Sequence, residues 1–481
     1  MIVATSMTTP TTTLLLLLLF LVTAIMTTAF VPSIATRRYR HRGRDGCTAS
    51  AVPFSLRRPL RSNNGPGNDD RVPSSRGTTN DRTIRDNLRN SGTTNVVYVG
   101  IDCIDVMGFL NAVWHVLADL SEGDDSANVC LILENPSGGS IPVSTLTTLQ
   151  REWIVQREHF LAQIPELQRL RISVLMPEDM VHHHHMMGNG NPCLLLQSTA
   201  RTLTERKERD ERIAFQDIFT EDKTTAAVQH FVTRLVQRDS MGATCPYTES
   251  STVAGVGLEA RGVRSGPVGY RFHTTSDAVR ATAMFWDCVQ ECLTTSPAQL
   301  STILLSLPAI GPGTDGHDRF ASVVELMGRN LCLFRGDTAV GLVHFHPAYD
   351  RDTIHPIDQP AYGHLPPTSW IRPMMRHNKK KNEKRNPDGD ETIVVLSDDD
   401  LRCSNYQRRA PCTVVNILRA SQLDAAAGSK SIVDLCIGDG DDERTERASG
   451  IVTYARNAVR LARLGRQALQ MALEEEMISM I

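Results

Sequence analysis

The strongest constraint on the fold is an order of elements that the chain runs through twice. "NVVYVGID" (95 to 102) is a β-branched run. "VMGFLNAVWHVLADL" (106 to 120) has helical spacing through Phe109, Val113, Val116 and Leu120, and "NVCLILE" (128 to 134) is strand-like again. A long helix through "LQREWIVQREHFLAQI" and a strand "RLRISVLM" (169 to 176) complete a β-α-β-α-β unit. The second passage takes "VGYRFHT" (268 to 274), the helix "DAVRATAMFWDCVQECL", the strand "STILLSL" (301 to 307), the helix "RFASVVELMGRNLCLF" and the strand "AVGLVHFH". Together they predict an α/β (or α+β) fold of two units, 95–200 and 225–428, with helices packed on sheets. The spacings are alike. Residue identity between the units is too thin to establish a duplication, because any two α/β units match this well.

The N-terminus sets the compartment. Residues 14 to 26, "LLLLLLFLVTAIM", form an apolar run shorter than the roughly twenty residues of a membrane-spanning helix and typical of a signal-peptide core. We read a signal peptide over 1–29, with an uncleaved membrane anchor or plain secretion as the alternatives. The sequel "VPSIATRRYRHRGR" is basic, hydroxyl-rich and nearly free of acids, as transit peptides are. The joint "TAFVPS" resembles the bipartite presequence of algae with secondary plastids, where a Phe, here Phe30, opens the transit peptide. That resemblance implies a transit peptide and linker over 30–94, delivery to the plastid (chloroplast) stroma, and no stable membrane span in the mature chain.

Composition is globular, and a net charge of -3 excludes neither acidic nor basic partners. No basic stripe with interleaved aromatics appears, so no nucleic acid partner is expected. The eleven cysteines include no CxxC pair, which removes a zinc ribbon and a thioredoxin-type motif. Several sit in apolar runs such as "NVCLILE" and read as buried reduced thiols packed as small hydrophobes. His182 to His185 form a tract whose adjacent side chains point apart, so it reads as incidental low complexity, with a weak exchangeable metal patch as the alternative. "GPGTDG" (311 to 316) fits GxGxxG, yet Pro312 and the lack of a suitable acid ending the next strand make it a turn.

The second unit carries a family resemblance. A helix "AAVQHFVTRLVQRDS" (226 to 240) leads into "ATCPYT", followed in order by "STILLSLP", "HFHPAYD" and "NYQRRAPCTVVNILRASQL" (405 to 423). These four ordered motifs resemble the domain-of-unknown-function family 1415, over roughly residues 225 to 428. Three family positions depart: its Asp falls on Ala348, its His on Asn416 and its Glu on Ala420. The chain also inserts about forty residues at 356–397, where "RHNKKKNEKRNPDGDE" (376 to 391) reads as a disordered surface loop. The segment 445–481, with "IVTYARNAVRLARLGRQALQMALEEEM", reads as one amphipathic helix for packing or for a homo-oligomer, with a membrane-surface helix as the alternative.

The candidate site follows from these motifs. In a strand His344 and His346 share one face while Val343 and Phe345 share the other. Two imidazoles suit a metal or a proton shuttle, but no third ligand is apparent, so no metal is expected. The structural alternative has His344 bonding within the sheet edge and His346 capping the turn before Pro347. Cys245 as a nucleophile activated by His346 would be the catalytic pair. Arg409 and Arg419, the latter on an expected helix over 413–427, would bind a phosphate or carboxylate through bidentate hydrogen bonds. Tyr349 and Asn405, which match family positions, join them as ligand-binding candidates; no cofactor is assigned. Two functions stand at this point: a noncatalytic or degenerate scaffold or regulatory paralogue, and a small anionic-ligand binder or enzyme acting on a phosphorylated or carboxylated metabolite.

Overall fold

The computed structural model describes residues 96–102, 106–134, 142–176, 193–237, 243–245, 247–256, 258–259, 262–311, 316–351, 365–371, 396–427, 433–437, 444–448 and 451–480. The expected signal and transit peptides, the four-histidine tract and the charged part of the insert lie outside them. All the elements described belong to one compact unit, Ser75–Ile481.

The first half contains β1 (Val96–Asp102), α1 (Val106–Glu122), β2 (Ala127–Glu134), α2 (Val143–Phe160), a 3-10 turn (Pro165–Arg169), β3 (Leu170–Leu175) and β4 (Cys193–Ser198). Its sheet runs β1-β2-β4-β3, with β1 parallel to β2 and β4 antiparallel to both neighbours. Next come α3 (Leu203–Gln216), started by a Thr202–Glu205 capping box, and α4 (Glu221–Val236). The second half contains β5 (Val253–Ala254), β6 (Gly266–Phe272), α5 (Ala278–Thr294), β7 (Thr302–Ser306), α6 (Gly316–Leu333), a 3-10 turn (Gly336–Thr338) and β8 (Val340–Phe345). After α7 (Asp398–Arg402) and a 3-10 turn (Cys403–Gln407), β9 (Val414–Arg419) completes the sheet β5-β6-β7-β9-β8. The chain ends with α8 (Ala420–Ala427), the hairpin β10 (Val433–Ile437) and β11 (Arg444–Ala448), and the helices α9 (Ile451–Leu464) and α10 (Arg466–Met480).

The mixed α/β class is as expected, but the first sheet has one strand more than β-α-β-α-β and the second has two more, the short β5 at its edge being the further one. β4 and β9 return antiparallel between the second and third strands of their sheets. The expected helix over 413–427 is therefore a correction. Its first half is β9, with Val415 and Ile417 in the core shared with the helices and Val414 on the opposite face, and only Ala420–Ala427 is helical. The four β-branched and apolar residues Val414, Val415, Ile417 and Leu418 make it a strand that fills the gap between β7 and β8. The single C-terminal helix is also corrected. Gly465, in the left-handed region at φ 81°, breaks it into α9 and α10, and β11 occupies 444–448. Within the expected disordered insert, Trp370 and Ile371 are buried against Leu396, Leu401, Ala455 and Ala458.

The two halves share one topology and one core. β3 with β4 and β8 with β9 each form a six-pair ladder, so Cys193 and Val414 hold equivalent places. The helices lie between the sheets. α1 is apolar around most of its circumference, burying Phe109, Leu110, Val113, Trp114, Val116 and Leu117, and α5 does the same with Phe285, Trp286 and Val289. They run antiparallel: His115 Nε2 lies 2.7 Å from Asp287 Oδ1, and Arg280 pairs with Asp119 and Glu122 (2.7 Å). His115 and Asp287 are each the tenth residue of their helix, as expected at a pseudo-twofold axis. The α2–α6 pair crosses the same way, with Asn330 Nδ2 donating to Gln156 Oε1 at 2.9 Å. Outside the second sheet, α4 covers Leu304, Phe345 and Val414 with Ala227, Val228 and Phe231. α10 is held on α4 by Arg234, which donates to the buried Glu476 at 2.7 and 3.0 Å.

Because the helix layers are shared, urea unfolding should show one transition for both halves. Arg280→Ala, which strands Asp119 beside a buried helix interface, should lower stability by about 3 kcal/mol. Far-UV circular dichroism with tryptophan fluorescence checks both; two separable transitions would contradict the shared core.

Candidate functional site

The "HPAY" and "NYQRRAP" segments meet at the end of β8, because β9 pairs there with its first residue: Val414 lies opposite Phe345. The His346 N–H donates to the Arg408 carbonyl at 2.9 Å, and the turn closes with Tyr349 N–H on the His346 carbonyl at 3.0 Å. Asn405 Nδ2 donates to Asp350 Oδ1 (3.1 Å), while its Oδ1 accepts from the Arg351 N–H (3.3 Å). Tyr349 Oη accepts from the Leu365 N–H at 3.1 Å, and burial pushes its phenol up to about 12. Arg409 Nε donates to the Tyr349 carbonyl at 3.0 Å, and its guanidinium stacks 4.5 Å from the Tyr406 ring centre.

His346 is fully buried, and both ring nitrogens have partners. Nδ1 accepts from the Ala348 N–H at 3.0 Å, which leaves the proton on Nε2, where it faces the Gly311 carbonyl at 2.8 Å. The ring is thus a neutral brace between the HPAY turn and Gly311. His317, the second residue of α6, stacks on it with ring centres 4.8 Å apart, and Phe320 lies 5.7 Å away. Burial drives its pKa down from 6.5 to about 4, with the Gly311 bond opposing. His344 does share the inward face, near Phe320 and Tyr349, with Phe345 outward against Phe231, as strand alternation requires.

The bonds of the other expected site residues are made to other groups. Arg419 ends β9 opposite Val340, at the far end of the strand from His346, and its Nη2 donates to the Thr295 and Leu300 carbonyls. It is on a strand, not a helix. Cys245 Sγ faces Thr248 Oγ1 at 3.3 Å, and its N–H bonds to the Leu235 carbonyl at 3.0 Å. The departed family positions are spread too. Ala348 sits in the HPAY turn, Asn416 pairs with Val343 and meets Thr302 Oγ1 at 2.5 Å, and Ala420 follows the far end of β9. Among the described residues no group of three or more metal-ligating side chains comes together, and no helix is long and apolar enough to cross a membrane. Residues that sequence reasoning passed over are His317 and Arg351. Arg351 is buried with Nε on the Leu365 carbonyl at 2.8 Å. His317 directly follows the GPGTDG stretch, the only sequence signal that pointed near it.

Compared with known proteins, the chain matches no family model, no curated protein and no solved structure. The resemblance to family 1415 rests on its four motifs.

A neutral buried imidazole stabilises the fold fully above its unfolded pKa of 6.5, and that contribution is lost as pH falls through about 4. The loss amounts to about 3 kcal/mol. His346→Phe should therefore flatten the acid limb of the stability–pH curve between 6.5 and 4. Urea midpoints measured across that range check this, and an unchanged slope would contradict the brace.

Proposed function

We propose that the chain is a noncatalytic scaffold or regulatory protein, a divergent relative of family 1415 that is imported into a plastid. The motif residues hold the fold instead of presenting a reactive surface. The observation that carries this reading is the occupation of the candidate groups by backbone. His346 is bonded at both nitrogens, Arg409 binds the Tyr349 carbonyl, and Arg419 binds the Thr295 and Leu300 carbonyls. A general base needs a nitrogen free to take a proton, and an anion site needs guanidinium groups that converge. Arg409 and Arg419 sit at opposite ends of β9 and act separately. The import part of the proposal is supported by the presequence, with its short apolar core, Phe30 and basic sequel.

Arg409→Ala should lower stability by about 1 to 2 kcal/mol through the lost carbonyl bond and ring stacking. Phosphorylated or carboxylated metabolites should leave the wild-type melting temperature unchanged. Thermal unfolding of both proteins against such a panel is the test. A ligand-dependent rise in the wild type that Arg409→Ala abolishes would overturn the scaffold reading.

A fluorescent fusion of residues 1 to 70 should reach the stroma of an alga with a secondary plastid, and Phe30→Ala should stop it short. Imaging decides this, and stable residence of the wild-type fusion in the endoplasmic reticulum membrane would overturn the import reading.

A further inference from the structure

Two cysteines that are 63 residues apart in sequence meet in the first sheet. Cys130 on β2 and Cys193 on β4 have their sulfur atoms 2.7 Å apart, and both side chains are buried. The ladder explains why. Cys130 lies opposite Leu195, so Cys193 is its diagonal neighbour on the same face, away from the helices. Asn128 and Gln197 share that face and hydrogen-bond across it at 2.9 Å. The second half supplies an internal comparison. By ladder register, Cys193 corresponds to Val414 and Cys130 to Leu304. There the pair is plain hydrocarbon packed under α4. The first half instead puts two thiols in contact at these positions.

We propose that Cys130 and Cys193 form a reversible dithiol–disulfide site that exchanges with an external disulfide and pins the start of β4 to β2. Cys193 is the attacking sulfur. It is the first residue of β4, opposite Leu175 at the end of the β3 ladder, so exchange requires this strand end to open. Its thiolate attacks one sulfur of the external disulfide, forming a mixed disulfide and expelling one thiolate, which takes up the Cys193 proton. Cys130 then attacks the Cys193 sulfur, expels the second thiolate and passes its own proton to it. The two cysteines lose two electrons, and the external disulfide gains them as two thiols. Bond formation brings the sulfurs from 2.7 Å to about 2.05 Å and draws the diagonal strand positions together.

The test uses the full chain equilibrated in reduced and oxidised glutathione as the probe, then denatured, alkylated and mapped by mass spectrometry. Oxidising buffer should remove two alkylatable thiols, leave no glutathione on either residue and yield one cross-linked peptide joining Cys130 to Cys193. Dithiothreitol should reverse it. Amide exchange across Cys193–Leu196 should slow at least tenfold in the oxidised form. In Cys130→Leu the cross-link should vanish and glutathione should remain on Cys193. The wild-type map alone decides the matter if that variant fails to fold. Persistence of both free thiols, a stable glutathione adduct in the wild type, or unchanged exchange in β4 would overturn the proposal.

Discussion

The face-to-face burial of α1 against α5 is the contact on which the rest of the molecule depends. Each helix has one apolar side for its own sheet and another that would be left in water if its half stood alone. Fully burying a Leu, Phe or Val side chain stabilises by about 1.5 to 3 kcal/mol, so exposing a second apolar stripe of this size would cost more than a domain's typical margin. Antiparallel packing about a common axis removes both stripes at once. The polar groups at the helix ends are then matched across the halves: Arg280 to Asp119 and Glu122, Ser121 to Asp277, and Arg319 to Glu166. Two similar units thus become one body, and neither sheet supplies a core by itself.

That arrangement leaves the two outer faces to differ. The second sheet is covered by α4, α10 and the segments that follow β8, and the motif residues serve this covering. The 3-10 turn Cys403–Gln407 is tied to α9 and α10 by short polar links: Asn457 Nδ2, on α9, donates to the Thr244 carbonyl and to Gln407 Oε1, and Tyr406 Oη donates to Gln470 Oε1 on α10. Side chains that look like chemistry in sequence, a histidine before proline and paired arginines, satisfy buried backbone carbonyls here. Buried polar groups need partners, and in a region built from irregular segments the side chains have to provide them.

Much of the fold was legible in sequence, because β1, α1, β2, α2, β3, α5, β7, α6 and β8 each carry a clean period. What was missed has physical reasons. β4, "CLLLQS", has only four apolar residues before Gln197 and Ser198, too short a run to show a period, and it inserts between β2 and β3. β9 runs into α8 without a turn residue, so "TVVNILRASQLDAA" reads continuously as helix. Gly465 alone breaks a long amphipathic pattern, and nothing local shows that it takes a positive φ. For the site, strand alternation placed His344 and His346 on one face correctly, and the motifs at His346, Tyr349, Asn405 and Arg409 do converge. Their occupation by carbonyls was not legible, since the Gly311 carbonyl lies 35 residues from the ring it binds. Nor was the separation of Arg419, which depends on β9 being extended.

The state of the His346 ring tests the central claim most directly, that these motifs are a brace and not a reactive site. Long-range nitrogen–proton NMR on the full chain reads the tautomer and charge of each imidazole. The account predicts a neutral ring protonated on Nε2 and unchanged from pH 8 to pH 5. A ring protonated on Nδ1, or one that titrates near 6.5, would contradict it.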